Sequence, residues 1–313
     1  MIKGFVTRSL SAFVFVAVMA GGILWNAWSF GAVMLLVLIG TLSEFYNITK
    51  DKRSEFSPYA TTKSRNFVIG ISLVLLFITF FTNGGFKDFT SGEGLIAKLL
   101  NSLLSRKFTF ADIAVFFPAI TMLILIHELF SKAEKPFTNI AWNILAIVYI
   151  TLPILLSFQI FFESGKWILF AIIGLVWIND AMAYSCGILF GKTKMFERLS
   201  PKKTIEGLIG GILLTAVAAW FFIKLPIPEL QVFSQTQWVI LAVVMSAAAV
   251  LGDLVESLLK RSLQIKDSGS ILPGHGGFLD RFDAFLVAIP FAVLVIWIMQ
   301  QIGYILTLIE YLG

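Results

Sequence analysis

Apolar runs of about 17 to 25 residues recur from one end of this chain to the other, and each is long enough to cross a ~30 Å hydrocarbon core as a helix. That recurrence decides the fold class before any other feature is considered. Backbone amides in lipid must be satisfied within a helix or a closed barrel, and alternating strands of about ten residues are not seen, so a transmembrane helical bundle follows. Composition agrees: of 313 residues, 58% are hydrophobic and only 14% charged, far outside the range of a water-soluble domain. The expectation is an all-α polytopic bundle of about nine spans, near residues 9–25, 29–47, 66–82, 109–130, 139–162, 166–189, 205–223, 238–260 and 281–304.

The opening stretch, MIKGFVTRSLSAFVFVAVMAGG, places basic residues before an apolar run and small residues after it, as a secretory leader does. A second apolar stretch, Gly31–Gly40, follows at once, so it reads as a first span. Cys186 is the single cysteine, which excludes an internal disulfide and a cysteine-rich zinc site and leaves a small packing residue. The longest connection, 83–108, contains GLIAKLLNSLLSRKF, which suits a helix lying in the membrane interface or one packed on the protein. With the N-terminus in the cytoplasm, 18 of the 24 Lys and Arg residues fall on the cytoplasmic side, as does the segment after residue 260. The net charge of +5 then belongs to loops beside anionic lipid. Nucleic-acid binding is not expected, because the sequence has no extramembrane module, internal repeat or low-complexity tract. Residues 1–162 read as a scaffold or dimerisation region and 163–313 as the part that carries chemistry.

Charges inside spans are costly and therefore informative. In AVLGDLVESLLKRS, Asp253, Glu256, Ser257 and Lys260 stand at i, i+3, i+4 and i+7 and share one helix face. An internal salt bridge from Asp253 or Glu256 to Lys260 is one reading. The following KDSGSILPGHGGFLDRFD adds Lys266, Asp267, His275, Asp280, Arg281 and Asp283, with glycines at 269, 274, 276 and 277 that allow close backbone approach. Asp280 and Asp283 begin the last span, where acids also serve as plain caps. The chemical reading is a magnesium and phosphate site. Magnesium takes one or two carboxylates together with substrate phosphates, here from Asp253 and Asp280, while nearby lysines and arginines hold phosphate oxygens. His275 has two readings, orienting a ligand or orienting its own loop.

A second polar stretch, WINDAMAYSCGILFGKTKMFERLSPKKTIEG, sets Asn179 and Asp180 inside a span and Lys202 and Lys203 in a basic loop. Those lysines read either as phosphate contacts or as positive-inside residues. Ser200 or Thr204 suits a helix cap, with Glu206 in the first turn. GILFGKT is not a phosphate-binding loop, because Gly187 and Gly191 enclose three residues where that motif needs four. HELF at His127 lacks the second histidine of a zinc-protease helix.

From Ser257 to Asp283 the chain reads SLLKRSLQIKDSGSILPGHGGFLDRFD. It resembles the signature of phosphatidate cytidylyltransferases, or CDP-diacylglycerol synthases: Ser, two residues, Lys-Arg, four residues, Lys-Asp, a Pro-Gly-His-Gly-Gly turn and an Asp-Arg-x-Asp close. Every position is filled. NDAMAY and SPKKTIEG are similar to the family too, so the resemblance covers about residues 177–290, and the first 160 residues match only as a multi-span region. It implies a membrane-embedded enzyme that joins CTP and phosphatidic acid to give CDP-diacylglycerol and pyrophosphate with magnesium. A second, monovalent cation such as potassium is left open. By motif position it implies Asp253 and Asp280 as metal carboxylates, Ser257, Lys260, Arg261 and Lys266 on phosphates, and Asp283 supporting the metal or a basic residue. Asp180, Lys202, Lys203, His275 and Arg281 are expected on the substrate side. A homodimer in a bacterial inner membrane, with its active site at the cytoplasmic face, completes the expectation. A polyprenol kinase-like CTP-dependent lipid phosphotransferase is the competing enzyme. A secondary transporter is the competitor of another class, although it predicts repeated halves and midplane charge.

Overall fold

A computed structural model describes residues 2–49, 62–85, 110–131, 133–265, 268–269 and 277–312. Among them, helices occur at each of the nine expected positions: α1 (Ile2–Trp25), α2 (Ala27–Ile48), α3 (Thr62–Phe80), α4 (Phe110–Ser131), α5 (Pro136–Ser164), α6 (Lys166–Phe190), α7 (Ile205–Trp220), α8 (Gln235–Ser262) and α9 (Leu279–Leu312). The chain is thus an all-α polytopic membrane protein. Seven of these helical stretches, at α2, α3 and α5 to α9, are long and apolar enough to span, while α1 and α4 contribute the shorter apolar stretches Phe13–Trp25 and Val115–Ser131. The interfacial helix expected in 83–108 falls, beyond Gly85, outside the described residues, as do Lys266, Asp267 and His275.

The chain divides into two compact units. The first comprises Met1–Lys166 and Leu259–Phe282, the second Trp167–Leu258 and Asp283–Gly313. The last turn of α8 and the first of α9 therefore belong to the first unit, and the remainder of both helices to the second.

In the first unit a single residue, Asn26, separates α1 from α2. Its side chain accepts from the Ser29 amide at 2.8 Å, and its own amide donates back to Ser29 Oγ at 3.0 Å, a reciprocal cap that fixes the reversal. Phe30 of α2 stacks on Phe161 of α5 with centroids 4.3 Å apart. Interior polar side chains are cross-linked, as a membrane bundle requires. Tyr46 donates to Asn143 Oδ1 at 2.8 Å, Asn143 donates to Ser64 Oγ at 2.8 Å, and Asn139 donates to Glu128 Oε1 at 2.9 Å. Helix α5 widens into a π turn at Ile147–Thr151, immediately before Pro153. The proline ring has no amide to donate and displaces the preceding carbonyl, and the wider turn absorbs both effects.

In the second unit, α6 and α7 are joined through a two-stranded antiparallel ribbon, β1 (Lys194–Phe196) and β2 (Ser200–Thr204). The sequence reading expects only a basic loop here. Ala183 and Gly187 of α6 face Gly207 and Gly211 of α7 so closely that a Cβ on Gly207 would lie 2.8 Å from the Ala183 carbonyl oxygen. This small-residue seam lets the two backbones touch. Ser234 caps α8, accepting from the Gln237 amide at 3.2 Å, which starts the helix three residues ahead of the expected 238. Helices α8 and α9 meet at Gly252, where an added Cβ would lie 2.6 Å from the Asp283 carbonyl oxygen.

Candidate functional site

The Gly252 contact determines where the acids of the second unit lie. One α-helical turn separates Asp253 from Glu256, so both project from the same face of α8, and the backbone contact brings in Asp283 from α9. Carboxylate oxygens of Asp253, Glu256 and Asp283 lie within 4.8 Å of one another. Glu256 is 1% exposed and Asp283 9%. Like charges held this closely out of water require a counter-cation or a shared proton.

A lysine of β2 lies at the edge of this cluster. Lys203 Nζ forms an ion pair with Asp253 Oδ2 and donates to the Val250 carbonyl at 3.4 Å. Its position follows from local structure. Thr204 caps α7 by accepting from the Gly207 amide at 3.1 Å, and the Glu206 carboxylate accepts from the Lys192 and Thr193 amides at 3.1 Å, tying the far side of the ribbon to the start of α7. Asp180, exposed on α6, lies close enough to Asp253 and Lys203 to interact with both charges. Asp253 is thus paired with the Lys203 ammonium, with Asp180, Glu256 and Asp283 close by. An all-oxygen, anionic donor set of this kind fits a hard divalent cation such as magnesium and, among the described residues, includes no thiolate or imidazole for a softer metal.

The first unit holds a separate polar group at the signature segment. Asp280 Oδ1 accepts from Lys260 Nζ at 2.7 Å, and Oδ2 accepts from the Gly277 amide at 2.9 Å and the Ser268 amide at 3.2 Å. Glu44 of α2 accepts on Oε2 from the Leu279 amide at 2.9 Å and from Ser268 Oγ at 3.3 Å. Asp280, expected with Asp253 as a metal carboxylate, therefore has three N–H donors on its oxygens, whereas Asp253 is clustered with Asp283 and Glu256. Arg261 is exposed and donates to the Ile265 carbonyl at 3.2 Å; Ser257 is half-buried, and Lys202 and Arg281 are exposed. Lys266 and His275 lie outside the described residues.

Two residues of these groups go unassigned by the sequence reading. Glu256 appears there on a polar helix face and as one candidate salt-bridge partner of Lys260, although its i+3 spacing from Asp253 was a usable signal for a shared site. Glu44 does not appear at all. Its signal was a lone acid within a span-length apolar helix, which is expensive in lipid.

Fold and site together define a class, the polytopic helical membrane proteins that carry a cluster of acids paired with a lysine. Within it, this chain belongs to the Cytidylyltransferase family, whose profile matches residues 6–299. Among curated relatives, it is 37% identical over 177 residues to the phosphatidate cytidylyltransferase of Staphylococcus aureus (strain COL). It is 38% identical over 177 residues to that of Staphylococcus epidermidis (strain ATCC 12228 / FDA PCI 1200), and 36% identical over 174 residues to that of Staphylococcus saprophyticus. Each match covers 55% of this chain, and the chain spans 65% of the length of these relatives.

Proposed function

We propose that the protein is a phosphatidate cytidylyltransferase that makes CDP-diacylglycerol and pyrophosphate from CTP and phosphatidic acid. The observation that carries this reading is the cluster of Asp253, Glu256 and Asp283 with Lys203 at its edge, on helices that also carry the cytidylyltransferase signature. Family membership and the names of the relatives support the same activity.

In this reading Asp253, Glu256 and Asp283 hold magnesium. When bound, the metal supplies positive charge against the triphosphate and so lowers the repulsion met by an anionic nucleophile. Lys203, ion-paired with Asp253, serves phosphate oxygens directly. A phosphatidate oxygen forms a bond to the α-phosphorus of CTP, the bond from that phosphorus to the bridging oxygen breaks, and pyrophosphate leaves with the electron pair. The attacking phosphate is already ionised, so no residue need act as general base. Asp280 takes the role of ordering the signature segment together with Lys260. One substrate is water-soluble and the other is a lipid whose phosphate lies at the interface, so the chemistry belongs at a membrane boundary. The Lys and Arg distribution favours the cytoplasmic face of a bacterial inner membrane, and the signature resemblance favours a homodimer.

The test is incubation of purified protein with labelled CTP, phosphatidate and magnesium. CDP-diacylglycerol and pyrophosphate are expected in equal amounts, and Lys203→Met is expected to lower kcat/KM for CTP by about 10- to 100-fold. A folded preparation that forms no CDP-diacylglycerol refutes the proposal.

A further inference from the structure

We propose that Glu44 of α2 is a positioning residue that pins the two ends of the glycine-rich signature segment in register. The inference rests on the functional reading above, because it gives that signature its task. Glu44 is 2% exposed. Its Oε2 gathers Ser268 Oγ from the start of the segment and the Leu279 amide from its end. Asp280 holds the same two ends from within the segment, through the amides of Ser268 and Gly277. Ser268 is thus shared between both carboxylates, with its hydroxyl on Glu44 and its amide on Asp280. A carboxylate distant in sequence thus joins Ser268 to the first residue of α9.

Two of the signature glycines answer to this carboxylate. A Cβ on Gly269 would lie 2.6 Å from Glu44 Oε1, and one on Gly277 would overlap Glu44 Oε2. Small residues at 269 and 277 are therefore what admits a carboxylate between the ends of the segment. Packing alone does not explain Glu44. An apolar side chain would fill the same volume without the cost of a buried acid, but it would leave the Leu279 amide and the Ser268 hydroxyl without their acceptor.

The test uses the full chain in lipid nanodiscs. Glu44→Met keeps the length of the side chain and removes both acceptor oxygens. Amide exchange in peptides covering 265–282 is expected to rise about tenfold or more, and kcat/KM for CDP-diacylglycerol formation to fall about 10- to 100-fold, with little change in the global thermal midpoint. A second pair of variants reads the contact itself. Gly269→Ala alone is expected to lose activity, and adding Glu44→Asp, which withdraws the carboxylate by one methylene, is expected to restore part of it. Unchanged exchange in Glu44→Met, loosened exchange with wild-type kcat/KM, or strictly additive losses in the Gly269→Ala and Glu44→Asp pair would each overturn the proposal. Wild-type protein that makes no CDP-diacylglycerol would instead sink the functional reading, and the exchange data would still judge the clamp.

Discussion

Replacing Asp283 by asparagine alters almost nothing in shape and removes one charge from a cluster whose oxygens lie within 4.8 Å. At that distance and an effective dielectric of about 20, each like-charged pair costs about 3.5 kcal/mol. Asp283 has two such neighbours, Asp253 and Glu256, so full ionisation would put about 7 kcal/mol on this residue. Lys203 is ion-paired with Asp253 and offsets one of the two repulsions, which leaves about 3.5 kcal/mol as the most the substitution can relieve. With a chelator present, Asp283→Asn is therefore expected to unfold at a higher temperature than the wild type, by up to about 10 °C at roughly 2–4 °C per kcal/mol. Magnesium should reverse the order. It stabilises the wild type by about 2.7 kcal/mol at a hundred times its Kd, and it should leave the variant nearly unmoved and without turnover. Tryptophan fluorescence during thermal unfolding, with and without chelator, measures both shifts. A variant that is less stable than the wild type in chelator and still gains the full magnesium shift would refute the assignment of these acids to a cation.

Two further substitutions probe the surrounding structure. Lys260 and Asp280 are 13% and 11% exposed, so Lys260→Met should cost about 3–5 kcal/mol. Adding Asp280→Asn should recover part of that loss, and strictly additive thermal midpoints would show that the two do not act as a pair. Gly252→Ala introduces a methyl 2.6 Å from the Asp283 carbonyl and should cost about 1–3 kcal/mol by overpacking. Turnover and the magnesium-induced thermal shift should fall with it, although no charged group is altered, and wild-type values for both would separate the acid geometry from this backbone contact.

The helices were legible in the sequence because lipid leaves the backbone so few choices. An apolar run of spanning length becomes a helix whatever its neighbours do, and each of the nine expected runs contains one. Their ends were less legible. Helix α8 begins at Gln235 because of a reciprocal cap between Ser234 and Gln237, and hydropathy is blind to hydrogen bonds. The ribbon at Lys194–Thr204 was missed because two short basic strands carry no apolar alternation. On the chemistry, the polar face of α8 and the lysines of SPKKT were visible because charge near a span is rare. Which acids would meet was not visible, since that depends on Gly252, and a glycine in a membrane helix gives no hint of whether a backbone approaches it. Glu44 escaped notice for a related reason: its partners, Ser268 and Leu279, are more than two hundred residues away.

The glycine seam has a consequence for the lysine it helps to place. Only 22% of the apolar window of α7 is buried, and Ile209, Leu213, Leu214 and Val217 are exposed along its outer side. On its inner side, glycines give contact without grip. In a bilayer, acyl chains would cover that outer side, and hydrophobic mismatch would be taken up by tilting at modest cost. The bilayer would then set the aim of the Lys203 ammonium as much as the protein does, so that thinning the membrane or stripping annular lipid with detergent retunes the chemistry without touching a single catalytic group.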